Sequence, residues 1–228
     1  MGGVYDRAPA DGKVRKMNPD HHINTLIFDW DGTLVDSAHL GLVAFEKTFD
    51  ELGVPFAHAI YEKTYSPNWY SIYEALGLRK ELWDIADEVW NRHYGEQCAS
   101  LIEGVGDTLL SLRKKGYQLA VVTSGNRKRV CREVEQSVLK DEFAVIICSE
   151  DIVNKKPHPE GLERAIRALD VGPSQCAYVG DAPEDIEMGR RSNVMTIGVR
   201  SAYPSSARIL SAQPDLYLEK LIELVKHF

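Results

Sequence analysis

The sequence predicts an α/β fold: a doubly wound parallel sheet interrupted by an inserted helical segment. Three observations predict it. Five short apolar runs are continuous rather than alternating, as strands covered on both faces are. From the second run onward, stretches of helical spacing separate one run from the next, the order that right-handed crossovers require. One long interval, about residues 38–103, carries helical spacing and no convincing strand.

Residues 1–22 mix Gly, Pro and charges of both signs with almost no apolar periodicity, which predicts a disordered or loosely attached leader. The fold is expected to start near Ile23. The first run, Thr25–Phe28, ends in Asp29-Trp30-Asp31-Gly32, a buried strand closed by a turn signal. In the interval that follows, Leu42, Phe45, Phe49 and Leu52 mark one helical face, and Leu82, Ile85, Val89 and His93 mark another. This segment leaves after the first strand and returns before the second, so it should hang over the carboxyl edge of the sheet. The later strands are expected at Leu119–Thr123, Ala144–Cys148, Ala177–Gly180 and Val194–Val199. The helices fall at Val105–Lys115, Arg127–Leu139, Pro159–Leu169 and Pro183–Arg191. The α/β core is therefore 23–37 with 104–228, and the helical insertion is 38–103. Ser192-Asn193 closes the last helix, and Asn tolerates the left-handed conformation that such ends favour.

Composition bounds the partners. A chain of 228 residues, 44% hydrophobic and 27% charged, can bury a sizeable core. Its net charge of −7 lacks the basic balance of a nucleic-acid binder, so a phosphorylated small molecule would need a local positive device such as a metal ion or a lysine. Cys98, Cys131, Cys148 and Cys176 form no C-x-x-C pair, which argues for reduced thiols and a cytoplasmic setting. No apolar stretch is long enough to span a membrane, and no membrane partner is expected.

In doubly wound sheets the ligand sits beyond the carboxyl ends of the strands. The polar residues there are Asp29 and Asp31 after the first strand, Thr123 and Ser124 after the second, and Asp181 after the fourth, with Asp185 four residues on and Lys156 in the loop after the third. Carboxylates converging on one point repel unless a cation sits among them. An all-oxygen set without His or Cys suits Mg²⁺. The Asp29-x-Asp31 pair can divide labour, one carboxylate attacking phosphorus while the other handles protons. Lys156 would then hold the nucleophile and the transferring group together, and Thr123 would donate to phosphoryl oxygens.

Asp29-Trp30-Asp31-Gly32-Thr33-Leu34-Val35-Asp36-Ser37 resembles the first motif of the haloacid dehalogenase superfamily. Thr123 resembles the second motif, Lys156 in Lys-Pro-His-Pro the third, and Gly180-Asp181-Ala-Pro-Glu-Asp185 the fourth. The likeness spans roughly residues 23–228, and the insertion is similar to the family's C1 cap. The resemblance implies a Mg²⁺-dependent phosphohydrolase, similar to phosphoglycolate phosphatases, with a phospho-aspartate on Asp29, Asp31 as general acid and base, and Asp29, Asp31, Asp181 and Asp185 at the metal. The dehalogenase branch lacks the second aspartate, and the phosphonoacetaldehyde hydrolases typically have alanine there, so a phosphomonoester substrate is favoured. Sugar-phosphate mutases are the alternative. They typically carry a histidine ten residues after that aspartate, where this chain has Gly41, and a Glu-Asp opening to the fourth motif, where it has Gly180-Asp181. A non-catalytic binding protein on the same fold is the rival from another class.

Other readings complete the set. Asp185 either serves the metal, directly or through water, or caps the helix that follows. Lys155 is expected in solvent, as is His158. Lys128, Arg129 and Arg132 are expected on an exposed helix face, while Asn126 and Arg127 lie near enough to Thr123 to reach substrate with Ser124. The loop from Tyr65 to Tyr70 joins two helices of the insertion, and Trp69 or Tyr70 is the candidate to stack on the substrate.

Overall fold

A computed structural model describes residues 23–95 and 97–228; the expected leader at 1–22 lies outside them. Six strands form one sheet: β1 (Thr25–Phe28), β2 (Gln118–Val122), β3 (Val145–Ile147), β4 (Cys176–Gly180), β5 (Met195–Val199) and β6 (Leu216–Leu218). All pairings are parallel, and the spatial order is β3-β2-β1-β4-β5-β6. The order reverses between β1 and β4, which makes their carboxyl ends the switch point where such sheets bind ligands. Phe28 is level with Val179, and Asp29 N–H donates to the Val179 carbonyl at 2.8 Å.

The continuous apolar runs are explained by cover on both faces. Leu26, Phe28, Leu119, Val121, Ala177 and Val179 pack into one core, while Ile27, Ala120, Val122, Cys176 and Tyr178 alternate into a second. The sixth strand was not expected from the sequence. Leu216-Tyr217-Leu218 is too short to stand out by pattern, and it follows a 3₁₀ stretch, Pro204–Ala212, rather than an α-helix.

The insertion between β1 and β2 contains α1 (Ala38–Glu51), α2 (His58–Thr64), α3 (Trp69–Ala75) and α4 (Trp83–Tyr94). It has its own core, in which Phe45 and Phe49 of α1 meet Tyr61, Tyr73, Trp90 and Tyr94. The face of α4 differs from the expected one. Ala86, Val89, Trp90 and Tyr94 are buried, while Ile85 is 47% exposed. Burying Trp90 and Tyr94 removes more apolar surface than burying Ile85 and His93, so the helix turns that side inward.

Four helices flank the sheet after the insertion: α5 (Val105–Lys114), α6 (Arg127–Glu135), α7 (Glu160–Leu169) and α8 (Pro183–Arg191). Asn126 caps α6, accepting from Arg129 N–H at 3.3 Å. Helix α8 ends at Ser192, and Asn193 beyond it takes the left-handed conformation, φ +56°. Among the described residues no helix is long and apolar enough to cross a membrane.

Candidate active site

The Asp29-Trp30-Asp31 segment follows β1 and bends at Trp30, and its side chains diverge. Trp30 is fully buried in the core and donates from Nε1 to Glu133 Oε2 at 2.7 Å. Asp29 and Asp31 face the other way, into a pocket. Gly32 then turns the chain at φ +78°, and its N–H donates to the Val35 carbonyl at 2.9 Å.

Asp29, Asp181 and Asp185 are all buried and offer carboxylate oxygens within 4.8 Å of one another. Lys156, 2% exposed, bridges two of them: its Nζ is 2.7 Å from Asp29 Oδ1 and 2.8 Å from Asp185 Oδ1. Burial pushes the Asp29 carboxyl up to about 7; Lys156 pulls against that rise and Asp185 adds to it. Asp181 is also raised, by burial first and then by its two carboxylate neighbours. Burial alone would lower the Lys156 amine, but Asp185 and Asp29 outweigh it and hold the amine above its ordinary value. Three carboxylates against one ammonium leave an excess of negative charge, and the donors are hard oxygens. That set fits a divalent cation of the Mg²⁺ type.

Asp185 serves as both cap and bridge. Its Oδ2 accepts from Asp181 N–H at 3.2 Å and Ala182 N–H at 3.0 Å, at the start of α8. Its Oδ1 accepts from Lys156 and from the Tyr178 hydroxyl at 3.2 Å. Gly180 makes this approach possible, because a Cβ there would lie 2.4 Å from Asp185 Cγ. Asp181 is fixed from outside the expected set: Ser201 Oγ donates to its Oδ2 at 2.6 Å.

Asp31 does not join that cluster. Both its oxygens are taken by Arg129, with Nη1 at 2.9 Å from Oδ1 and Nη2 at 2.6 Å from Oδ2. The expectation that its carboxylate faces the metal with the other three is therefore corrected. So is the expectation that Arg129 lies on an exposed face. It is 5% exposed, also donates to Glu133 at 3.0 Å, and lies 5.0 Å over the Tyr94 ring. The reason is the face that α6 buries, Arg129, Val130, Glu133 and Val134, on which the guanidinium finds two carboxylates and so tolerates desolvation.

Thr123 and Ser124 line the pocket with Gly125. Thr123 Oγ1 accepts from Gly125 N–H at 3.0 Å, while Ser124 Oγ is buried without a partner among the described residues. Asn126 and Arg127, expected near substrate, turn away from it. Asn126 caps α6 and donates to Glu150; Arg127 pairs with Asp151 and donates to the Ile146 carbonyl. Two acidic residues after β3 capture them, and that pairing depends on how β3 lies beside β2.

The two candidates of the insertion separate as well. Trp69 lines the pocket, packed against Trp90 with ring centroids 4.2 Å apart. Tyr70 stacks on Trp83 at 4.8 Å, outside the pocket lining, and Lys155 is half-buried with its amine 5.5 Å from the Tyr70 ring rather than free in solvent. His158 is exposed as expected. Tyr65 and Pro67 of the same 65–70 loop also line the pocket, and sequence reasoning missed Phe45, Trp90, Tyr203 and Ser205 beside them. Tyr203 stacks on Tyr65 at 4.8 Å and shares a 3.0 Å hydrogen bond with Ser37 Oγ. The signal for Ser201, Tyr203 and Ser205 was their position just after β5, at the same sheet edge as the other strand-end residues.

The family model described as haloacid dehalogenase-like hydrolase matches residues 26–199. Pyrophosphatase PpaX of Bacillus pumilus is 30% identical over 208 residues, covering 89% of this chain and 95% of that protein. A structure given as a predicted phosphoglycolate phosphatase from Haemophilus somnus superposes with a TM-score of 0.79 at 20% identity, over 90% of this chain and 97% of the other. β-Phosphoglucomutase from Clostridium difficile does so with a TM-score of 0.74 at 21% identity, over 89% and 93%. At those identities the two structures speak for the fold. The family model spans well over half of the sequence, and on that ground the chain belongs to the haloacid dehalogenase-like hydrolases.

Proposed function

We propose that the protein is a Mg²⁺-dependent phosphatase that hydrolyses a small phosphomonoester through a phospho-aspartate on Asp29. The placement of Asp29 supports this most. It ends β1 at the switch point, buried, with Oδ1 held by Lys156 and a pocket in front of it. Lys156 leaves Oδ2 to attack phosphorus; the bond to the alcohol breaks, and Asp31, protonated and freed of one of its two Arg129 contacts, gives the leaving oxygen its proton. Water then attacks the phosphoryl group, Asp31 takes its proton, and phosphate leaves Asp29 as it was.

Asp29, Asp181 and Asp185 are the residues to hold Mg²⁺, and Asp185, whose oxygens already accept four protein hydrogen bonds, is placed to act through water. When bound, the ion supplies counter-charge for carboxylates and phosphoryl oxygens together. Ser124 Oγ, buried and unpartnered among the described residues, is a donor for the phosphoryl group beside Thr123. Residues 38–103 act as the cap on a core of 23–37 and 104–228, shielding the phospho-aspartate from stray water. A mutase needs a further acid–base group in the cap. Gly41, where such enzymes typically carry histidine, lines the pocket with no side chain to supply one. The four free cysteines fit a reducing, cytoplasmic compartment.

The test is hydrolysis of an aryl phosphate by wild type and Asp29→Asn. The variant should fold normally and lose turnover, and excess chelator should silence the wild type. Near-wild-type hydrolysis by Asp29→Asn, or full activity in chelator, overturns the reading.

A further inference from the structure

Among the described residues that line the pocket Arg129 is the one basic side chain, and it is already engaged by two carboxylates. Asp31 takes it through both oxygens and Glu133 through one. Burial raises the Glu133 carboxyl, yet every partner it has donates to it. Besides Arg129 these are Trp30 Nε1 at 2.7 Å, the Tyr94 hydroxyl at 3.1 Å and Ala99 N–H at 3.4 Å. The indole, the amide and the guanidinium can only donate, so the arrangement is that of a carboxylate. Two carboxyl groups on one guanidinium leave the trio with no net positive charge, whether Asp31 is ionised or carries the proton it delivers. Five aromatic rings, of Phe45, Tyr65, Trp69, Trp90 and Tyr203, also line the pocket.

Among the described residues, a second anionic group on the substrate would therefore meet no unpaired cation on this side of the pocket. We propose that Glu133, acting through Arg129, is a specificity-determining residue that sets the site against substrates whose alcohol portion is anionic. The favoured leaving groups are uncharged or cationic alcohols with some apolar surface to lay against the aromatic wall. Glu133 positions rather than touches: with Asp31 it neutralises the guanidinium through Nη1 and Nη2, while Nε is enclosed without a partner among the described residues and so is not presented to a second anion. Because Tyr94 lies on α4 and Ala99 on the segment leading back to the core, the same carboxylate also ties the helical insertion to α6.

The inference rests on the phosphatase reading, and three esters of similar size separate the two. Ethyl phosphate has a neutral alcohol portion, O-phosphoethanolamine a cationic one, and 2-phosphoglycolate an anionic one. With Mg²⁺ present, wild-type kcat/KM for 2-phosphoglycolate should fall roughly 10- to 100-fold below that for ethyl phosphate, with O-phosphoethanolamine at or above the neutral ester. In Glu133→Gln, the 2-phosphoglycolate to ethyl phosphate ratio should rise about 10-fold. A merely structural role would instead lower all three rates alike. Wild type needs no variant to fold: if it hydrolyses 2-phosphoglycolate as well as ethyl phosphate, this inference is wrong and the phosphatase reading stands. An unchanged ratio in folded Glu133→Gln overturns it equally. Phosphate release from none of the three esters would overturn both readings.

Discussion

Lys156→Met removes the ammonium that bridges two of the buried carboxylates while keeping most of the stem's volume, so its effect reports charge rather than packing. The amine lies 2.7 Å from Asp29 and 2.8 Å from Asp185 and is 2% exposed. Removing one partner of such a buried pair costs about 3–5 kcal/mol, because the other charge is left uncompensated. With a urea slope of about 2 kcal/mol per molar, the unfolding midpoint should fall by about 2 M. The loss depends on pH in a defined sense. The folded Asp29 carboxyl sits at about 7, and without Lys156 it rises further. At pH 5.5 the variant neutralises Asp29 by protonation; at pH 8 it must either ionise Asp29 without its partner or retain a proton that the unfolded chain has released. The destabilisation should be larger at pH 8. The assay is urea unfolding followed by tryptophan fluorescence in chelator at both pH values. A loss below about 1 kcal/mol at pH 8, or an equal loss at both, would refute the role of Lys156 as counter-ion. Adding Mg²⁺ at pH 8 should recover part of the lost stability.

In chelator, the wild type itself should become less stable as pH rises from about 4 to 7, because folded Asp29 keeps a proton there that the unfolded carboxyl has released. Mg²⁺ should flatten that slope, and a profile insensitive to both pH and Mg²⁺, measured by thermal melts, would count against the cluster. Gly180→Ala places a Cβ 2.4 Å from Asp185 Cγ and should cost about 1–3 kcal/mol while reducing kcat, read by denaturation and steady-state kinetics. Trp69→Ala should raise KM, since the ring lines the pocket. Tyr70→Ala should leave KM alone and lower stability, its stack on Trp83 being worth about 0.5–1.5 kcal/mol.

Much of the fold was legible because parallel strands covered on both faces leave a mark on local sequence. The five longer runs, the helices between them and the left-handed Asn193 all follow from apolar continuity, 3.6-residue spacing and turn chemistry. Strand β6 is as short as β3, but the apolar run of β3 continues from Ala144 to Cys148, whereas Leu216-Tyr217-Leu218 is closed by Asp215 and Glu219 and carries too little pattern to register. The inward side of α4 was misread because Leu82, Ile85 and Val89 have helical spacing too, and the choice went to the larger rings of Trp90 and Tyr94.

The site divides along the same line. Asp29, Thr123, Lys156 and Asp181 could be placed by their positions just after strands or in the loops that follow them, and Asp185 by the first turn of the helix that follows β4, since a doubly wound sheet must bring those ends to one edge. Arg129 and Arg127 are two residues apart in a basic stretch, and nothing local says which is buried. Val130 and Val134 hint at the inward face of α6, but what stabilises Arg129 there is Asp31, 98 residues away. By itself the sequence determined which polar groups reach the carboxyl edge. The tertiary structure decided which charges are desolvated and paired, because burying a charge is tolerable only where a partner from a distant segment meets it.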